Sequence, residues 1–423
     1  MRIIKITNNK NLFSFVSLLL LKSFPFSANI VLASVIIKLG GNENFGIYAL
    51  IMSVLGFIVI PLAYAFNQII FRAEIFNKSL VMSNCASVFT ISLLLYILYV
   101  AISLNYNVGN NINLLLTLPA AILFLILYLL IAIYSGLMRA RNALIHAQTL
   151  NIWQKPLLLM AVLLFTNDVI SLEPTYILFL WLQIGTLVII ACTMYILMNR
   201  SKVSNPWSRT ENPEGNQIRS IILISLPAIA NYWYNDGILL LLNFLTSIND
   251  VSHMKKNFVI VSIVAAPLTA INAIFMTKLS RLLIDIYTAK KFFNRVRLMG
   301  VSLSIFLVAC LFGLEKYITP HFSTNLDWFE YDAVTLILAM MYVASAAFGP
   351  VGPLTLALKA ERFAFISSCF SVVVSLLAAS FLIPKYQSVG AAAAVFLGVI
   401  LVNSLFFFKI QRHFRLNMTG TKT

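Results

Sequence analysis

Apolar runs of about the same length recur along the chain from Leu12 to Phe408, separated by short polar interruptions. A helix crossing the hydrocarbon core needs about 20 mostly apolar residues at 1.5 Å rise each. The pattern therefore predicts twelve spans, at 12–38, 45–71, 84–104, 114–137, 147–166, 174–197, 218–247, 254–277, 297–318, 331–356, 363–382 and 390–409. No cleavable leader is expected, since the first run lacks a small-residue cleavage site and is followed at once by a second span.

The longest polar stretch, about Asn199 to Gln217, carries Pro206, Pro213, Gly215 and mixed charge, and falls between spans 6 and 7. It divides the chain into a six-helix lobe over 1–199, a cytoplasmic linker over 200–217 and a second six-helix lobe over 218–423. The two halves carry traces of an internal repeat. Pro25, Ala28 and Asn29 in span 1 match Pro227, Ala230 and Asn231 in span 7 at the same offsets. Pro61-Leu62 with Arg72 beyond it likewise matches Pro267-Leu268 with Lys278 and Arg281 beyond. Six helices per half give both halves one orientation, so a pseudo-two-fold axis along the membrane normal and a cavity between lobes are expected. The expected fold class is an all-α polytopic membrane protein of about twelve helices in two six-helix lobes.

Composition agrees: 60% of the 423 residues are hydrophobic and 10% charged, against about 25% charged in soluble domains. A net charge of +16 would suggest nucleic acid in a soluble protein, so its distribution decides its meaning. With the N-terminus in the cytoplasm, most of the 30 Lys and Arg fall in inside segments, which places both termini there. Lys38, Lys255, Lys256, Lys316 and Lys385 are assigned to outside loops. Lys22 and Lys155 fall within spans.

Nothing resembles an enzyme's site: GxSxG, a phosphate-binding loop and HExxH are all absent, and no cofactor is expected. Cys85, Cys192, Cys310 and Cys369 lie far apart and read as small buried hydrophobes rather than metal ligands. His146, His253, His321 and His413 lie near loops without clustering with carboxylates.

Polar groups deep in a span are costly, which makes them functional candidates. Lys22 sits roughly 15 Å into span 1, and Asn29, seven residues on, shares its face. In span 5, Gln148, Asn151 and Lys155 follow i, i+3, i+7 spacing and form one stripe. In span 7, Tyr232, Asp236 and Asn243 follow i, i+4, i+11, with Asn231 matched to Asn29 by the repeat. Pro25 and Pro227 each remove a backbone hydrogen bond and mark expected bends. The functional reading is a cationic cavity suited to an anionic headgroup such as a diphosphate, with Asp236 the candidate for proton or cation coupling. The structural reading is buried ion pairs that hold helices together. Arg72, Arg139, Arg141 and Arg281, at cytoplasmic ends of spans, are candidates for a gate or for contacts to anionic lipid, besides setting topology.

The stretch Leu39 to Leu50, with Gly40, Glu43, Phe45, Gly46 and Tyr48, resembles the loop between the first two helices of polysaccharide transporters. Pro384, Tyr386, Gly390, Ala391 and Ala392 resemble the turn before that family's last helix, with Gln387 where the family usually has Gly. With twelve spans, the chain resembles the O-antigen flippases of the multidrug/oligosaccharidyl-lipid/polysaccharide (MOP) exporter superfamily. The resemblance implies movement of an undecaprenyl-diphosphate-linked oligosaccharide from the cytoplasmic to the periplasmic leaflet of a bacterial inner membrane, in lipopolysaccharide biosynthesis. It further implies alternating access of the two lobes and coupling to protons or Na+. Membrane lipids, a polysaccharide polymerase and a chain-length regulator are the partners implied; nucleic acid is not. A multidrug/cation antiporter of the same fold is the first alternative, though it would want more acidic residues than Asp236 in its lumen. A polytopic polymerase or ligase is the second, though it would want a long outside loop.

Overall fold

The computed structural model describes residues 9–72, 114–140, 154–164, 175–200, 229–282, 286–322, 332–358 and 360–419, for some of them, including Lys22, Arg72, Arg139 and Arg281, the backbone alone. Gln148, Asn151, Arg141, Pro227 and span 3 lie outside the described residues. Within them the chain is helical and no strand occurs. The helices are α1 (Asn9–Arg72), α2 (Leu114–Ala140), α3 (Gln154–Leu164), α4 (Tyr176–Arg200), α5 (Ile238–Leu245), α6 (Ile248–Leu282), α7 (Ile286–Phe322), α8 (Ala333–Phe348), α9 (Val351–Ala357) and α10 (Glu361–Thr419).

Five helical stretches among these residues are long and apolar enough to cross a membrane: Phe24–Phe57, Leu118–Ser135, Tyr176–Leu197, Tyr287–Gly313 and Glu361–Leu416. The distribution of side chains identifies the solvent. Phe381 and Phe408 are 73% and 70% exposed, while Asn257, Ser304, Ser371 and Ser375 are fully buried. Large apolar groups face outward and small polar groups face helix contacts, as hydrocarbon surroundings require. The protein is a multi-pass membrane protein. Cys192, expected to be buried, is exposed on this apolar surface.

Spans 1 and 2 form the single element α1, turned at Gly41 (φ 79°, ψ 171°), a conformation in which any side chain would be strained. Asn44 stabilises this corner: its Nδ2 donates to the Gly40 carbonyl at 2.8 Å, and its Oδ1 accepts from the Tyr176 N–H at 3.3 Å, tying the corner to the start of α4. Beyond the corner, α1 packs on α6, from the other half of the chain, with a close approach at Gly46. A Cβ there would sit 2.6 Å from the Ile248 carbonyl oxygen, so only glycine permits this approach. Spans 11 and 12 likewise form α10, turned at Gln387 (φ 50°, ψ −125°). Span 10 is divided at Gly349-Pro350 into α8 and α9.

Candidate functional site

Span 7 is where the helix period itself changes. Helical residues 229–232 run into one π turn, Trp233–Gly237, before α5 resumes the normal ladder. Aromatic anchors hold this turn against a buried serine stripe on α10. The Tyr234 hydroxyl meets Ser371 Oγ at 2.5 Å, and the Trp233 indole N–H donates to Ser375 Oγ at 3.3 Å. The wider turn inserts an extra residue, about 100° of rotation, into the spacing that the sequence pattern assumed constant.

With the turn so fixed, Tyr232 and Asp236 face a cavity of about 290 Å³ between the two halves of the chain. The first half contributes Asn29, Phe45, Tyr48, Tyr128, Gln154, Lys155 and Gln183; the second contributes Tyr232, Asp236, Lys255 and Val259. Aliphatic residues including Leu32, Ile36 and Met52 complete the wall. A mostly apolar concavity with a few convergent polar groups is the usual form of a small-molecule site, at the small end of the common range of about 300–1,000 Å³.

Its charged centre is an ion pair between the Lys255 Nζ and an Asp236 carboxylate oxygen, with side chains 24% and 19% exposed. Asp236 also interacts with the Tyr232 side chain, and Lys155 lies close enough to feel both members of the pair. Among the described residues no carboxylate lies within 4 Å of Lys155. Among the described residues two lysines and one aspartate line the cavity, an excess of one positive charge.

Of the residues singled out from sequence, Asn29, Lys155, Tyr232 and Asp236 line the cavity. Asn231 does not: it is exposed, one residue and so about 100° from Tyr232, with its carbonyl accepting from Asn235 Nδ2 at 2.7 Å. Asn243 does not line it either, because the π turn rotates everything after it away from the i, i+11 register. The helix continues through Pro25, and the interruption of helical dihedrals in α1 is at Gly41. Lys255 was assigned to an outside loop; it belongs to the second turn of α6 and reaches inward to Asp236. Its position near the start of an apolar run gave no sign of that direction.

The polar wall on the first half of the chain also escaped the pattern. Gln183, on α4, is 1% exposed and its Oε1 accepts a long 3.5 Å hydrogen bond from the Tyr48 hydroxyl. Its Nε2 has no partner among the described residues, a state that costs a buried amide about 1–3 kcal/mol. His253, expected to stand apart from carboxylates, is paired. Its Nε2 lies 2.9 Å from Asp332 Oδ2 and its Nδ1 3.0 Å from Ser388 Oγ, joining α6, the start of α8 and the α10 turn. These partners are more than 75 residues apart in sequence, beyond the reach of local spacing.

The arrangement of the helices has known counterparts. An inward-facing multidrug resistance MATE family transporter of the MOP superfamily superposes with a TM-score of 0.62 at 12% identity, over 94% of this chain and 98% of its own. The chain has the MATE fold. The eukaryotic MATE transporter AtDTX14 gives 0.60 at 15% identity over 95% and 99% of the two chains. A MOP superfamily transporter from Pyrococcus furiosus, for which reversed polarity of the binding pocket suggests a different function, gives 0.59 at 11% identity over 95% of each. No protein-family profile matches the chain, and no curated protein matches it in sequence. The MATE fold comprises twelve helices in two lobes, and the cavity holding Lys155, Asp236 and Lys255 is lined from both halves of the chain.

Proposed function

We propose that this protein is a flippase for a lipid-linked anionic glycan, with an undecaprenyl-diphosphate-linked oligosaccharide as its substrate class, working by alternating access of the two halves of a MATE fold. The observation that carries the reading is the charge of the central cavity, in which Lys155 and Lys255 outnumber Asp236. Lysine is a compact point charge that binds phosphate without bidentate geometry. The apolar remainder of the wall suits the lipid-proximal part of such a headgroup. At about 290 Å³ the cavity fits a diphosphate and its neighbouring sugar rather than a whole oligosaccharide.

Asp236 gives the cavity a device that a static anion trap would lack. Its carboxylate already occupies Lys255, so an incoming diphosphate must compete with it, and neutralisation of Asp236 by a proton or by Na+ would release the lysine. Coupling to an ion gradient follows from that competition. The competing reading, a multidrug/cation antiporter, draws support from Asp236 and from the multidrug transporters that share the fold. It is weakened by the same ion pair, because a cationic drug would have to displace Lys255 and then lie beside Lys155.

The test is complementation in cells lacking the gene. Lys155→Ala and Lys255→Ala are expected to insert normally and to leave lipid-linked glycan on the cytoplasmic leaflet. Wild-type translocation by both variants, or altered drug resistance with normal glycan export in the deletion strain, would overturn the proposal.

A further inference from the structure

Positive charge also gathers away from the cavity, at the end of the second half opposite the Gln387 turn. Because α10 folds back at that turn, its start and its end lie together, and the Phe363 and Phe406 rings are 6.4 Å apart. The start of α7 packs against the same place. Phe293 of α7 and Phe414 of α10, both fully buried, have ring centroids 6.1 Å apart in a small apolar cluster separate from the main core. Around that cluster the same segments are basic. Lys291 and Arg295 on α7 and Lys409, Arg412 and Arg415 on α10 are exposed, and Arg297 is half-buried. Within 286–300, 361–364 and 405–416 the single carboxylate is Glu361. Two of the cations are seated on rings: the Arg297 guanidinium carbon lies 5.5 Å from the Phe407 ring centre, and Lys409 Nζ lies 5.4 Å from that of Phe363. The stem of Arg297 also lies against Gly349 (φ 79°), where a Cβ would come within 3.2 Å of it. An aromatic face fixes a cation in place without taking up its N–H donors as an oxygen does.

Large apolar side chains interleave with these cations. Tyr287, Leu298, Phe408 and Leu416 are each 60% exposed or more. At 37 residues α7 is longer than the roughly 20 that a crossing needs, so its first turns reach the border between hydrocarbon and water. Exposed apolar groups beside cationic heads suit a ligand that is itself apolar below and anionic above. Nucleic acid or an acidic protein would use the charge and leave Leu298 and Phe408 unmatched. We propose that this platform is a binding site for an acidic phospholipid. Its phosphate is held by Arg297 and Lys409, with Arg412 one turn further along α10, and its acyl chains lie over the apolar surface that includes Leu298 and Phe408. The site stands apart from the cavity and does not depend on what the cavity carries.

The experiment is native mass spectrometry of the full-length protein from detergent micelles doped with phosphatidylglycerol or with phosphatidylcholine, which gives an apparent affinity for each lipid. A Lys or Arg at a membrane surface is worth about fivefold in binding an anionic lipid. The wild type is expected to bind phosphatidylglycerol at least about fivefold more tightly than phosphatidylcholine. Arg297→Gln and Lys409→Gln are each expected to lower phosphatidylglycerol affinity about fivefold and to leave phosphatidylcholine unchanged. Phe407→Leu, which keeps the Arg297 charge and removes the ring beneath it, is expected to cause a smaller loss of the same kind. Lys385→Gln makes the same change in charge at an exposed position beside the Gln387 turn and is expected to change nothing. If Arg297→Gln lowers the Tm, Lys409→Gln, at an exposed position, carries the test. Equal affinities for the two lipids in the wild type, or a loss in Lys385→Gln that matches the loss in Lys409→Gln, would overturn the proposal. Displacement of phosphatidylglycerol by inorganic phosphate at constant ionic strength would overturn it as well, because the acyl chains would then contribute nothing.

Discussion

Replacing Asp236 by Asn is the perturbation on which the reading of the cavity depends most directly. The variant keeps the shape and one acceptor but removes the charge that occupies Lys255, raising the excess positive charge from one to two. A unit charge about 5 Å from one phosphate charge, at an effective dielectric of about 20, is worth about 3 kcal/mol before screening and relaxation. If half of that survives, about 1.4 kcal/mol, affinity rises about tenfold. Inorganic pyrophosphate titrated into the purified protein by calorimetry is thus expected to bind Asp236→Asn about tenfold more tightly than wild type. The gain should shrink as salt rises, because the cavity is not sealed from solvent. Glycan export by the same variant is expected to fall, since a lysine that no longer has an internal competitor releases its anion slowly. Unchanged or weaker pyrophosphate binding would refute the argument, because it would mean that Asp236 does not compete with the ligand for Lys255.

Three further outcomes concern the frame around the cavity. Gly46→Val places side-chain carbon against the Ile248 carbonyl; backbone does not yield as a rotamer does, so a destabilisation of about 1–3 kcal/mol is expected from thermal unfolding, and an unchanged Tm would refute the contact. Gln387→Gly relieves a side chain held at φ 50°, ψ −125°; a strain of about 1–3 kcal/mol, less about 0.5–1 kcal/mol for glycine's freedom in the unfolded chain, leaves about 1 kcal/mol of stabilisation and a slightly higher Tm. Asp332→Asn tests the His253 pair. Burial pushes the Asp332 carboxyl up, but hydrogen bonds from His253 and from the Thr335 N–H and hydroxyl, with the attraction of His253, hold it below its ordinary value. A carboxylate depressed by folding stabilises above its unfolded pKa and loses that contribution as pH falls through its folded one. Wild type should therefore exceed Asp332→Asn in Tm at pH 7, with the gap closing below about pH 4; a gap independent of pH would refute the assignment.

Hydrophobic run length determined by itself that the chain crosses a membrane many times, because the bilayer fixes how many apolar residues a helix needs, whatever packs beside it. The depth of Lys155 and Asp236 marked both as candidates for the same reason, and both line the cavity. The stretch Leu39 to Leu50 is a built corner: Gly41 makes the turn, Asn44 ties it to α4, Gly46 admits α6, and Phe45 and Tyr48 reach the cavity. What only the tertiary structure decided is who meets whom. Local periodicity assumes a constant 3.6 residues per turn, so it carried Asn243 onto the cavity face, and the π turn at Trp233–Gly237 removed it. Nor does a span boundary reveal the direction of a side chain, so Lys255 read as a loop cation while it pairs with Asp236, nineteen residues away on another helix. Gln183 and Tyr48, and His253 and Asp332, meet across separations at which sequence spacing holds no geometry. The sequence sets which groups are costly to bury in hydrocarbon, and helix packing sets which partners make that burial tolerable.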